Sequence, residues 1–206
     1  MFASAAPNYD VYTLCEDPRV QVVENFFSES EAKHIIQLAE NGMERARVSD
    51  DKEGSISDAR TNSLCWVKHD KSIITSNLAD RVAKFIAMPV SHAESFQVIR
   101  YGPTQEYRAH FDAYDLSTER GQRCTARGGQ RLVTVLGYLN DVEAGGSTAF
   151  PHLNINVVPK TGRLLIFDNV YKGTTDIHKQ SLHAGTPVVK GIKWAFNLWF
   201  HIREFK

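Results

Sequence analysis

The chain has 206 residues, 42% of them hydrophobic, with 24 basic side chains balanced by 24 acidic ones. That length and apolar content allow one domain with a buried core. Zero net charge removes the global electrostatic footprint of a nucleic-acid binder, though not a local basic patch. Three widely spaced cysteines, Cys15, Cys65 and Cys124, with no C-x-x-C, argue against a disulfide framework or a structural zinc site and favour a reducing compartment. The first ten residues lack the basic and apolar regions of a signal peptide. No apolar run reaches the length of a membrane span. The expectation is a cytoplasmic protein with neither nucleic acid nor membrane as partner.

Residues 1–18 hold Pro7 and Pro18 and no period, and are expected to be irregular. Residues 19–25, rich in valine, read as a strand. Ser28 and Glu31 form a capping box with Phe27 at the staple position. A helix follows with Ile35, Ile36, Leu38 and Ala39 as its stripe, stopped by Gly42. Residues 49–58 are a polar loop and 62–68 another strand. A second helix runs over 72–87 with Ile74, Leu78, Val82, Phe85 and Ile86 on one face, ended by Pro89. From residue 94 the texture changes to short alternating segments: 94–101, 107–111, 131–139, 155–158, 163–167, 180–184, 187–189 and 193–202. Strands of this kind, with no helix between them, predict a closed or double-sheet β architecture. The expected organisation is helical and strand support over 19–93 and a jelly-roll core over 94–203.

In the strand 107–111, alternation turns His110 and Asp112 to one side. An imidazole and a carboxylate from one strand are two of the ligands a divalent metal with open positions needs. The third is left open among the other histidines. The last strand has one apolar face, Trp194, Phe196, Leu198, Phe200 and Ile202. Its other face carries Lys193, Ala195, Asn197, Trp199 and His201. A mixed face of that kind fits a barrel interior that binds something. Tyr101 and Thr134 are polar groups on neighbouring strands. A lysine flanked by two hydroxyls would make a carboxylate receptor.

Five motifs in order carry a resemblance. They are His110-x-Asp112; GGQRLVTVLGYL at 128–139; DVEAGGSTAFP at 141–151; LHAGTPV at 182–188; and GIKW at 191–194. Together they resemble the catalytic domain of prolyl 4-hydroxylases, Fe(II)- and 2-oxoglutarate-dependent dioxygenases with a double-stranded β-helix core, over about residues 19–203. The resemblance implies His110, Asp112 and His183 as iron ligands and Lys193 as the partner of the distal 2-oxoglutarate carboxylate. It also implies Thr134 and Tyr101 as helpers of that lysine, with Trp199 and His201 near the metal. Arg60, in Arg-Thr-Asn-Ser, resembles an arginine that contacts peptide in some members, and Tyr107 and Arg127 join it as candidate substrate contacts. The implied reaction consumes O2 and 2-oxoglutarate, releases succinate and CO2, and hydroxylates prolyl residues of a peptide or protein, with ascorbate as reductant. The alternatives are the same chemistry on a free amino acid or other substrate, or a non-catalytic binding module on this scaffold. The loop 113–127, bearing Arg120, Arg123 and Arg127, departs from the collagen-modifying pattern; it reads first as a solvated charge run, and as a basic lid it would suggest an acidic or C-terminal peptide context. Substrate identity and oligomeric state stay open.

Overall fold

The computed structural model describes residues 9–48, 55 and 57–206. The expected polar loop therefore lies mostly outside the described residues, as does the first part of the expected irregular segment. The chain opens with the antiparallel strands β1 (Val11–Glu16) and β2 (Arg19–Val23). β1 corrects the expectation for residues 1–18: it is nearly all exposed, so it left no alternating apolar signal. Helix α1 (Glu29–Ala39) starts at Ser28, whose Oγ accepts from the Glu31 N–H while Glu31 accepts from the Ser28 N–H. After β3 (Glu44–Arg45) and β4 (Ser63–Val67), helix α2 (Ile73–Phe85) starts at Ser72 with Thr75 completing its box.

The remaining elements are β5 (Phe96–Tyr101), β6 (Tyr107–His110), α3 (Glu119–Thr125), β7 (Arg131–Tyr138), β8 (Ala144–Gly145), β9 (Thr148–Phe150), β10 (Ile155–Val157), β11 (Leu164–Asp168), β12 (His183–Gly185), β13 (Val188–Lys190) and β14 (Lys193–His201). One sheet has the order β1-β2-β11-β7-β14-β5-β4-β3. A second has β10-β9-β12-β6, and β8 pairs with β13. α3 contradicts the expected helix-free region. It is short and polar, capped by the Thr118 hydroxyl on Gly121 N–H, and shows no apolar stripe. The expected strand at 180–184 starts later, because Lys179–Ser181 forms a 3₁₀ turn.

The larger sheet buries both faces. One face packs Phe196, Leu198, Val98, Val135 and Ile166 against Ala32 and Ile35 of α1 and Leu78 and Val82 of α2. The other packs Ile99, Leu136, Leu165 and Ala195 against Phe150 and Val157 of the smaller sheet. Both clusters lie almost wholly out of water, and apolar burial of this extent supplies the main favourable term. This double layer matches a double-stranded β-helix with helical support on one side. Among the described residues, no helix is long and apolar enough to cross a membrane.

Candidate active site

The two sheets meet around His110, Asp112 and His183. β6 and β12 pair antiparallel with His110 directly opposite His183, ring centroids 4.4 Å apart. Each ring is fixed by a carbonyl two residues before it: His110 Nδ1 donates to Arg108 O at 2.8 Å and His183 Nδ1 to Ser181 O at 2.9 Å. A carbonyl can only accept, so the proton sits on Nδ1 and the Nε2 lone pair is free to point inward. Asp112 follows just beyond β6. Its Oδ1 lies 3.7 Å from His110 Nε2 and its Oδ2 3.5 Å from His183 Nε2. The three donor atoms all fall within 4.8 Å of one another.

Burial pushes the His110 imidazole down, helped by His183, to about 3. Burial pushes the Asp112 carboxyl up, but His183, His110 and Arg131 outweigh it and lower it to about 2. The donor set is thus a neutral imidazole with its lone pair exposed, a second imidazole in the same tautomer, and a carboxylate. That set fits iron(II). The Trp199 indole Nε1–H is buried with no well-formed hydrogen bond and contributes to keeping the Asp112 carboxylate ionised.

A cavity of about 210 Å³ opens from these donors, small enough for a compact co-substrate and one substrate side chain. Lys193 lines it from β14, opposite Tyr101 of β5. Its Nζ lies 5.2 Å from the Tyr101 ring and 5.5 Å from the Tyr138 ring, with no carboxylate partner among the described residues. Burial pulls the ammonium down to about 7. Thr148, held by a 2.8 Å hydrogen bond from Tyr138 OH, and Gly185 share the wall.

Thr134 does not flank Lys193. It pairs with Trp199 in the β7–β14 ladder, six residues along the strand, a separation of about 20 Å at strand rise. Its hydroxyl donates instead to Asp112 Oδ2 at 2.8 Å and accepts from Asn169 Nδ2 at 2.9 Å. Thr134 therefore clamps the carboxylate from the opposite sheet. His201 is not part of the cavity wall. The ladder shifts register at Phe200/His201, and both His201 ring nitrogens face acceptors: Glu94 Oε1 at 2.8 Å and Gly129 O at 2.7 Å. Glu94 also takes the Arg131 Nε–H at 2.6 Å. Arg131 in turn lies 3.8 Å over the Trp199 ring and does line the cavity. Arg127 is bonded to Lys206 O and lies over Phe205, away from the cavity.

Arg60 and Tyr107 do belong to the wall. Arg60 is buried, donates to Asn62 Oδ1, Gln97 Oε1 and Arg47 O, and lies over the Tyr107 ring, which stacks on His110. The sequence singled out Arg120 within the basic loop 113–127, and it does reach the cavity, but Thr148, Arg131 and Trp66 were passed over. Thr148 and Arg131 stood inside quoted motifs, whereas Trp66 reaches the cavity only through the fold.

A family model described as the 2OG-Fe(II) oxygenase superfamily matches residues 96–201. Prolyl 4-hydroxylase 5 of Arabidopsis thaliana is 34% identical over 217 residues, covering 95% of this chain and 72% of that protein. The chain belongs to the prolyl 4-hydroxylase family of 2OG-Fe(II) oxygenases. As such it is a 2-oxoglutarate-dependent dioxygenase that uses iron(II). The 2OG complex of a viral collagen prolyl hydroxylase from Paramecium Bursaria Chlorella virus-1 is 26% identical, with a TM-score of 0.70 over 87% of this chain and 94% of that one. A Trichoplax adhaerens prolyl hydroxylase bound to a hypoxia inducible factor peptide shares the fold at 20% identity, with a TM-score of 0.65 over 88% of this chain and 83% of that one.

Proposed function

We propose that this oxygenase hydroxylates prolyl residues in a peptide or protein, coupled to oxidative decarboxylation of 2-oxoglutarate to succinate and CO2. His110, Asp112 and His183 would hold the iron, and Lys193 the distal carboxylate of 2-oxoglutarate. One observation carries the reading: a single cavity joins three metal donors to a buried ammonium that has no carboxylate partner among the described residues. A cation in that position lacks its counter-charge until a dicarboxylate arrives, and a charge-assisted pair then forms in a dry site. Tyr101 sits opposite Lys193 in the β5–β14 ladder and would share that carboxylate with Thr148.

The iron, when bound, supplies the oxidising chemistry; the protein supplies binding, orientation and exclusion of water. The Thr134 hydroxyl holds Asp112 in place. The Arg108 and Ser181 carbonyls hold the two imidazoles in the ligand tautomer. Arg131, braced by Glu94 and His201, with Tyr107 and Arg60, forms the part of the wall left for the substrate. Ascorbate would serve as reductant. Residues 19–206 would act as one catalytic unit, since α1 and α2 pack on the sheet that carries Lys193. A cytoplasmic setting agrees with three cysteines that are all free.

The test is to incubate iron-loaded protein and 2-oxoglutarate with a library of proline-containing peptides and follow one-oxygen mass gains by mass spectrometry. The expected result is a gain located on proline that requires both iron and 2-oxoglutarate. Oxygen appearing only on free amino acids or on non-prolyl positions would overturn the prolyl reading.

A further inference from the structure

The cavity is unbalanced in charge. Arg47, Arg60, Arg120, Arg131 and Lys193 all line it, against Asp112 as the single carboxylate that the described residues place in the wall. Two of these six charges have partners in place: Asp112 faces the two imidazoles and Arg131 sits on Glu94, while Lys193 is assigned to the co-substrate under the reading above. Arg47 and Arg120 have further contacts of their own and still bring positive charge to the mouth.

Arg60 decides the argument. It is only 8% exposed, yet its hydrogen bonds among the described residues go to neutral acceptors: Asn62 Oδ1 at 3.1 Å, Gln97 Oε1 at 2.9 Å and Arg47 O at 3.3 Å. A buried cation held only by neutral groups is costly unless an anion completes it. The fold keeps it there by stacking: its guanidinium lies 4.6 Å from the Tyr107 ring centre, and that ring stacks on His110 at 3.5 Å. Arg60 is therefore no more than about 8 Å from an iron-donor ring. An extended peptide advances about 3.3 Å per residue. An anion meeting Arg60 would sit within about three residues of whatever residue lies at the donors.

We propose that the substrate carries a carboxylate within about three residues of its target proline, read by Arg60 with the field of Arg47 and Arg120 behind it. This rests on the prolyl reading above and adds the chemical class of the substrate's flank. The carboxylate is an Asp or Glu side chain or a peptide C-terminus. A guanidinium with its plane fixed suits a carboxylate better than a lysine would.

The test is direct binding, measured by fluorescence anisotropy with the chain loaded with iron(II) and 2-oxoglutarate under anaerobic conditions. Labelled proline peptides carry Glu, Gln or Lys at each of the three positions on either side of the proline. A further pair ends just after the proline, with a free or an amidated C-terminus. The expected result is about tenfold tighter binding for the carboxylate member of at least one matched pair, weakening with salt. In Arg60→Gln, that difference is expected to collapse. Equal affinity for Glu, Gln and Lys peptides at every position, together with equal affinity for free and amidated ends, would overturn the proposal. So would a Glu preference that persists in Arg60→Gln. Should that variant not fold, the salt dependence of the Glu/Gln ratio in the unaltered chain decides, a salt-insensitive ratio counting against it. A carboxylate preference without any one-oxygen mass gain would keep this inference and overturn the hydroxylation reading; a gain without the preference would do the reverse.

Discussion

At Lys193 burial and charge oppose each other. Desolvation pulls the ammonium down to about 7, while the tyrosines around it, Tyr101 and Tyr138, are pushed up by burial and stay neutral. A bound dicarboxylate needs the ammonium form. Above pH 7 the free site has lost that proton, so binding must take one up, and affinity falls as pH rises. The limit is about tenfold per pH unit. Below pH 7 the proton is already present, and this group adds no dependence. Calorimetric titration of the metal-loaded protein with 2-oxoglutarate, under nitrogen and in buffers of different ionisation enthalpy, is expected to show proton uptake above neutrality and little below it. A constant affinity from about pH 6 to about pH 9, with no proton exchange, would contradict this placement of Lys193. Lys193 and the His-x-Asp pair were legible in the sequence because alternation along one strand decides which side chains share a face. Thr134 was misplaced because alternation says nothing about position along the strand. The same face holds the buried Lys193 at one end and the clamp on Asp112 at the other.

At the scale of elements, β14 organises the molecule. Phe196 and Phe200 face the helices and Lys193 and Trp199 face the cavity, the division its sequence implied. That packing depends on a glycine across the ladder. A Cβ on Gly137 would sit 2.2 Å from Phe196 Cζ, inside the ring that covers it. Gly137→Ala is expected to cost about 1–3 kcal/mol through forced repacking of the helix-facing core. Urea unfolding would show it as a lower midpoint at unchanged slope. A midpoint equal to that of the unaltered chain would mean that Phe196 does not lie flat on β7. The helix α3 escaped sequence reasoning for a physical reason: its seven residues are too few to show a period, and its register is set by the Thr118 cap and by Thr125 returning to Gly121 O at 2.7 Å. β8 and β9 escaped likewise, being two and three residues long.

At the scale of the whole molecule, the centre exists only where the two sheets meet. His110 and His183 come from the smaller sheet, while Thr134, Trp199 and Lys193 come from the larger. The helices α1 and α2 pack on the far side of the larger sheet, the one that carries Lys193. The order of motifs along the chain disclosed the family. The convergence of Arg60, Arg120 and Trp66 on the same mouth did not show, because the segment before β4, the short helix α3 and β4 itself are brought together only by folding. The most direct test of the central claim is an anaerobic titration of iron(II)-loaded protein with 2-oxoglutarate, following the charge-transfer absorption that iron(II) gives with a bound 2-oxo acid. The account expects absorption saturating at one equivalent in the unaltered chain and none in His183→Ala. In Lys193→Ala it expects the same absorption, reached only at 2-oxoglutarate concentrations at least about tenfold higher. Full absorption in His183→Ala, or unchanged affinity in Lys193→Ala, would contradict it.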